Sequence, residues 1–189
     1  MISPELLQRY APLAGDIQDV LLSPEQIQLR VAELGQMIAR DYAGRNPLLV
    51  GVFKGVLFFM ADLLRAIPVP VEVDFLAVAS YSPETRSRGK VRLVKDLEAD
   101  ISGRHILFVE DVIDTGLTLN YLLSTLRARQ PASLEVCVLF DKPGKRLIDI
   151  PLKYKGFNLP DLFVVGYGLD HREQYRNLPF VGVLKTSAL

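Results

Sequence analysis

The chain has one cysteine in 189 residues, Cys137, so no disulfide can form within it. Cys137 lies in the apolar run Leu134–Phe140 and is expected to be a buried thiol, in keeping with a reducing cytoplasmic setting. An excess of positive charge is also missing: 22 basic residues meet 22 acidic ones, which argues against a nucleic-acid partner. No stretch reaches the roughly 20 apolar residues that a membrane span needs. The most apolar region, Leu48–Leu64, contains Lys54 and Asp62 and reads as core. The N-terminus MISPELLQRYAPLAGD has neither the basic start nor the apolar stretch of a signal peptide. The two histidines, His105 and His171, show no zinc-site spacing and receive no chemical role.

What is present is an alternation of apolar elements. Ser23-Pro24-Glu25-Gln26 reads as a capping box with proline at the first helical position, and Ile27, Val31, Leu34 and Ile38 follow at helical spacing, so a helix should run to about Tyr42. Leu48–Phe53 reads as a buried strand, Val56–Ala66 as a helix, and Val71–Ala79 and Ile106–Val109 as strands. Leu117–Arg129 reads as a helix and Leu134–Phe140 as a strand. This order implies an α/β fold, a mainly parallel sheet covered by helices. With no repeat or linker, a single domain spanning 1–189 is expected, and the more irregular residues after Gly144 could form a small subdomain. The polar segment between Tyr81 and Lys90 reads as a loop, a fair candidate for a lid.

The chemistry concentrates in His105–Thr118, an apolar strand that ends in Glu110, Asp111 and Asp114 beside Thr115-Gly116-Leu117-Thr118. Ligands of open α/β sheets bind beyond the carboxyl ends of the strands. Small hydroxyls and free amides at the start of a helix suit a phosphate monoester. Adjacent carboxylates would repel that phosphate but can accept hydrogen bonds from the vicinal hydroxyls of a ribose. Helix capping alone would need one acid, not three. An aspartyl phosphatase needs Asp-x-Asp, whereas this turn has Asp111-x-x-Asp114. Neither a P-loop nor a dinucleotide fingerprint is present.

The pattern of apolar strand, two acids, two apolar residues, Asp-Thr-Gly and Thr resembles the signature of type I phosphoribosyltransferases, which bind phosphoribosyl pyrophosphate (PRPP). Within that group the chain is similar to the hypoxanthine-guanine branch, from about Asp19 to about Lys185. The resemblance implies the fold of that family, with a small hood formed by the chain ends. It also implies Mg²⁺-dependent purine salvage: hypoxanthine or guanine, with xanthine left open, reacts with PRPP to give the nucleotide and pyrophosphate. The ribose phosphate would be held by Glu110, Asp111, Asp114, Thr115, Gly116, Leu117 and Thr118. Relatives often carry a polar or basic residue where this chain has Leu117. Asp114 would be the general base or proton holder at the purine. Lys54, Gly55 and Arg176 would bind pyrophosphate, with a cis peptide expected between Phe53 and Lys54. Lys142 would donate to the 6-oxo group, Phe163 would stack on the base, and the Val164 backbone would read its edge. Asp170 would assist a second magnesium, with Glu110 and Asp111 as further metal contacts. Ser80 and Tyr81 resemble the pair on the family's lid. Members of this family are dimers or tetramers, so a homodimer or homotetramer is expected. Some regulators resemble these enzymes, but such a protein needs a basic face or an added DNA-binding segment, and Met1–Leu22 is short and carries Glu5, Asp16 and Asp19.

Overall fold

The structure is a computed structural model, and it describes residues 4–80 and 91–188. Two short helices, α1 (Pro4–Arg9) and α2 (Ala11–Ala14), precede strand β1 (Ile17–Leu22). Helix α3 (Pro24–Asp41) begins at the expected capping box: the Ser23 side chain accepts from the Gln26 amide, and the Gln26 side chain accepts from the Ser23 amide. Caps of this kind contribute about 1 kcal/mol. There follow β2 (Leu48–Phe53), α4 (Val56–Ala66), β3 (Glu72–Ser80), β4 (Val91–Lys95), β5 (His105–Ile113), α5 (Leu117–Arg127) and β6 (Ser133–Asp141). After a 3-10 turn at Pro143–Lys145 come β7 (Tyr154–Asn158), β8 (Val164–Val165) and β9 (Val181–Leu184).

Six strands form the central sheet in the order β4-β3-β2-β5-β6-β7, parallel throughout except for β4. Strand β2 and the middle of β5 and β6 (Ile106–Val109 and Val136–Phe140) are apolar without interruption because both faces are covered. Leu49, Leu107, Val109, Cys137 and Leu139 pack in one cluster with residues of α3 and α4, while Val50, Ile106, Phe108, Val136 and Val138 pack with residues of α5 on the other face. That division follows the period of two along a strand. Burial also raises the Cys137 thiol well above its usual range, so it sits in the core as an inert group. Helices α3 and α4 approach so closely that a Cβ on Gly35 would overlap Ala66.

The chain ends meet in a second sheet, antiparallel and ordered β1-β9-β8. This is the expected hood. Val164, Val181 and Val183 of the hood belong to the same apolar cluster as Leu49 and Leu139 of the central sheet. Among the described residues no helix is long and apolar enough to cross a membrane.

Candidate active site

Strands β2 and β5 are neighbours, yet the chain leaves them in opposite directions, toward β3 and β4 on one side and toward β6 and β7 on the other. A crevice opens at the carboxyl ends of such a pair. The ladder locates it: β2 stays paired to β5 only as far as Gly51 and Val109, whereas β5 stays paired to β6 as far as Ile113 and Asp141. This corrects the expectation of a strand ending at Val109. Glu110 and Asp111 lie within β5, on a stretch held from one side only, because β6 continues to supply hydrogen bonds after β2 has turned away.

The open side is occupied by the loop after β2. Its Phe53–Lys54 peptide is cis, as the resemblance implied. A Cβ on Gly55 would overlap Asp111 Oδ2 and lie 3.5 Å from Arg176 Nη1, so glycine is required for this approach. Gly168 of the hood packs in turn against the Gly55 carbonyl. Glu110 Oε2 is sealed from solvent and has no partner. Burial, reinforced by the neighbouring Asp111 charge, raises the Glu110 carboxyl well above its ordinary range. Burial raises Asp111 as well, against the Val112 amide that donates to its Oδ1 at 2.8 Å. Two adjacent acids thus sit where each charge costs free energy until a cation or donor arrives.

Beyond β5 the chain turns through Asp114-Thr115-Gly116 into α5. Gly116 is left-handed at φ 80° and precedes the helix, with Ile148 and Ile150 packed against it. The Leu147 amide donates to the Thr115 carbonyl at 3.0 Å, which braces the turn from behind. Amides of the first helical turn have no acceptor within the helix and carry its positive end, which suits a phosphate at Thr115–Thr118.

The residues expected to meet the base lie beyond this turn. The Lys142 amide donates to the Ile113 carbonyl at 3.0 Å, and its Nζ donates to the Leu162 carbonyl at 2.8 Å. Only 8% of Lys142 is exposed, and burial lowers its pKa. Phe163, next to Leu162, is 45% exposed and stands edge to face with His171 at 5.3 Å. An exposed phenyl ring beside a crevice is available for stacking. Val164 lies on β8, the edge of the hood sheet. Since the Leu184 amide donates to the Phe163 carbonyl at 3.1 Å, alternation of the ladder turns the Val164 peptide groups toward the outer edge.

Several participants were not foreseen. Lys145 Nζ lies 2.9 Å from Asp161 Oδ1 and 4.0 Å from Asp114 Oδ2, which places a cation beside the candidate base. Glu173 Oε2 lies 3.0 Å from Lys54 Nζ and 3.6 Å from Arg176 Nη2. Arg176 also binds Asp170 Oδ1 and the Gly168 carbonyl, both at 2.8 Å. Glu173 and Lys54 are 119 positions apart, and no local motif signals such a pairing. His171 was assigned no role; its Nε2 is buried without a partner, and its ring supports Phe163. Ser80 closes β3, while Tyr81 and the expected lid loop lie outside the described residues.

Residues 18–172 match the family model for a phosphoribosyl transferase domain. A hypoxanthine-guanine phosphoribosyltransferase of Streptococcus agalactiae serotype V is 52% identical over 173 residues, covering 92% of this chain and 96% of the relative. That of Bacillus subtilis is 50% identical over 170 residues, covering 90% and 94%. The solved hypoxanthine phosphoribosyltransferase of Staphylococcus aureus superposes with a TM-score of 0.90 at 44% identity, covering 94% and 96%. The chain belongs to the hypoxanthine-guanine phosphoribosyltransferase family.

Its fold is accordingly the type I phosphoribosyltransferase fold. Phosphoribosyltransferases are generally Mg²⁺-dependent, and the orphaned Glu110 oxygen beside Asp111 suits a hard cation or ribose hydroxyls. Among the described residues no group of three His, Cys, Asp or Glu side chains is arranged to hold an ion.

Proposed function

We propose that the protein transfers the phosphoribosyl group of PRPP to a 6-oxopurine, hypoxanthine or guanine, and releases pyrophosphate. The observation that carries this reading is the junction at the β2–β5 switch point, where Asp111 abuts Gly55 close to Arg176 and the neighbouring Glu110 keeps a sealed, unpartnered oxygen. Acceptors for ribose hydroxyls and donors for a polyanion meet there within one crevice.

In this reading Thr115–Thr118 bind the 5-phosphate, and Glu110 and Asp111 orient the ribose. Lys54 and Arg176 draw charge from the departing pyrophosphate. The bond from C1 to the pyrophosphate oxygen breaks as a bond from C1 to N9 of the purine forms, and the proton on N7 passes toward Asp114. Lys142 donates to the 6-oxo group and so disfavours adenine, which offers a donor at that position. Phe163 stacks on the base, and Val164 reads its edge. Glu110, Asp111 and Asp170 would hold Mg²⁺, which would supply positive charge to the phosphates. Ser80 and Tyr81 belong to a lid that excludes water from the activated sugar. One domain spanning 1–189, assembly as a homodimer or homotetramer, and a cytoplasmic setting complete the proposal.

Nucleotide formation from PRPP and Mg²⁺, measured in parallel with hypoxanthine, guanine, xanthine and adenine, tests it. Turnover of the 6-oxopurines and not of adenine is expected. Measurable PRPP binding with no turnover of any base would overturn it.

A further inference from the structure

We infer that the Glu173 carboxylate is an internal counter-anion of the leaving-group site: it holds Lys54 and Arg176 when no pyrophosphate is present, gives way when PRPP binds, and returns as pyrophosphate departs. The inference rests on the assignment of Lys54 and Arg176 to pyrophosphate made above. A single oxygen, Oε2, reaches both cations, at 3.0 Å and 3.6 Å. It therefore sits where an oxygen of the leaving group would meet the same two side chains. Asp170 is engaged as well, its Oδ1 on Arg176 at 2.8 Å and its Oδ2 accepting the Glu173 amide at 2.9 Å.

The backbone shows that this placement is imposed. Glu173 has φ 64°, and Arg172 and Tyr175 have φ 51° and 72°, a conformation that side-chain-bearing residues adopt at a cost. The turn is secured by the paired backbone hydrogen bonds of His171 and Gln174, at 3.0 and 3.3 Å, and by the Tyr175 hydroxyl on Asp16 at 2.7 Å. Asparagine or glycine would suit such a backbone better, so a glutamate here supplies a carboxylate at the expense of local comfort. Lys54 and Glu173 side chains are 63% and 64% exposed, so solvent screens their attraction and a multiply charged pyrophosphate displaces it readily. The carboxylate accordingly weakens pyrophosphate binding without abolishing it, which speeds release of a product whose departure uncovers the Lys54 charge.

The test compares the full-length wild type with Glu173→Gln, Lys54→Met and the double variant, using product inhibition by magnesium pyrophosphate and the KM values for PRPP and hypoxanthine. Glu173→Gln is expected to lower the inhibition constant of pyrophosphate and the KM for PRPP about two- to fivefold, the range of an exposed ion pair. The KM for hypoxanthine stays unchanged, and the gain shrinks in high salt and in the Lys54→Met background. Glu173→Asn, which tolerates the left-handed backbone, gives the same readout if the glutamine variant folds poorly. Unchanged or weaker pyrophosphate inhibition in a folded Glu173 variant, with Lys54→Met weakening it as expected, overturns this inference alone. If Lys54→Met leaves pyrophosphate inhibition untouched, the assignment of Lys54 fails and the inference falls with it.

Discussion

The Asp111 carboxylate lies against Gly55, in the space that a side chain at position 55 would fill. An acid on β5 and a loop after β2 are thereby locked in register at the point where ribose and pyrophosphate would join. Gly55→Ala should displace one or both by an ångström or so, and misplacement on that scale costs about a hundredfold in rate. We expect kcat/KM for PRPP to fall by about that factor while the thermal melt stays cooperative, which steady-state kinetics and calorimetry would check.

Glu110→Gln should separate stability from function. The Glu110 and Asp111 carboxyls have raised pKa values in the fold. The sign follows: the ligand-free protein gains stability below the ordinary glutamate value of 4.5 and loses it as the pH rises through the raised values. Removing one acid should flatten this decline and raise Tm near pH 7, while PRPP binding weakens. Melting curves across pH 4–8 with and without PRPP read both effects, and a variant less stable than wild type at pH 7 would contradict the account.

Asp114→Asn keeps the shape of the turn but leaves an amide that cannot take a proton. Loss of a general base costs about 10²- to 10⁴-fold. The fall should appear in kcat, with the KM for PRPP little changed, since the proposed holder of the phosphate is the backbone of Thr115–Thr118.

Lys142→Met keeps the aliphatic stem in its buried channel and removes the donor. A hydrogen bond from a charged group contributes about 1.5–3 kcal/mol, so kcat/KM for hypoxanthine should drop roughly ten- to a hundredfold. Adenine, poorly used in either case, should be affected less. Equal losses for both bases would place Lys142 outside the base site.

Turnover should stop when EDTA removes divalent metal and return with Mg²⁺. PRPP binding followed by calorimetry should weaken in parallel, because an ion at Glu110 and Asp111 would be shared with the substrate.

Much of this was readable in the sequence because it is local. The capping box at Ser23, the helical spacing from Ile27 to Ile38 and the run of acids and small residues from Glu110 to Thr118 each act within a few positions. Periodicity and turn chemistry write such features directly into the chain. The end of β5 was misjudged for the complementary reason. Carboxylates look like the end of an apolar strand, and only the continuing partnership with β6 keeps Glu110–Ile113 in the sheet.

The sequence by itself determined the α/β order, the both-face burial of the central strands and the chemical character of the β5 turn. Tertiary structure alone decided which distant side chains share a charge or a space: Gly55 with Asp111, Gly168 with Gly55, Lys145 with Asp114 and Asp161, and Glu173 with Lys54 and Arg176. The physical reason is that hydrogen-bond periodicity operates along the chain, whereas electrostatic and steric contacts depend on distance through space. That distance is set only when the hood closes over the switch point between β2 and β5.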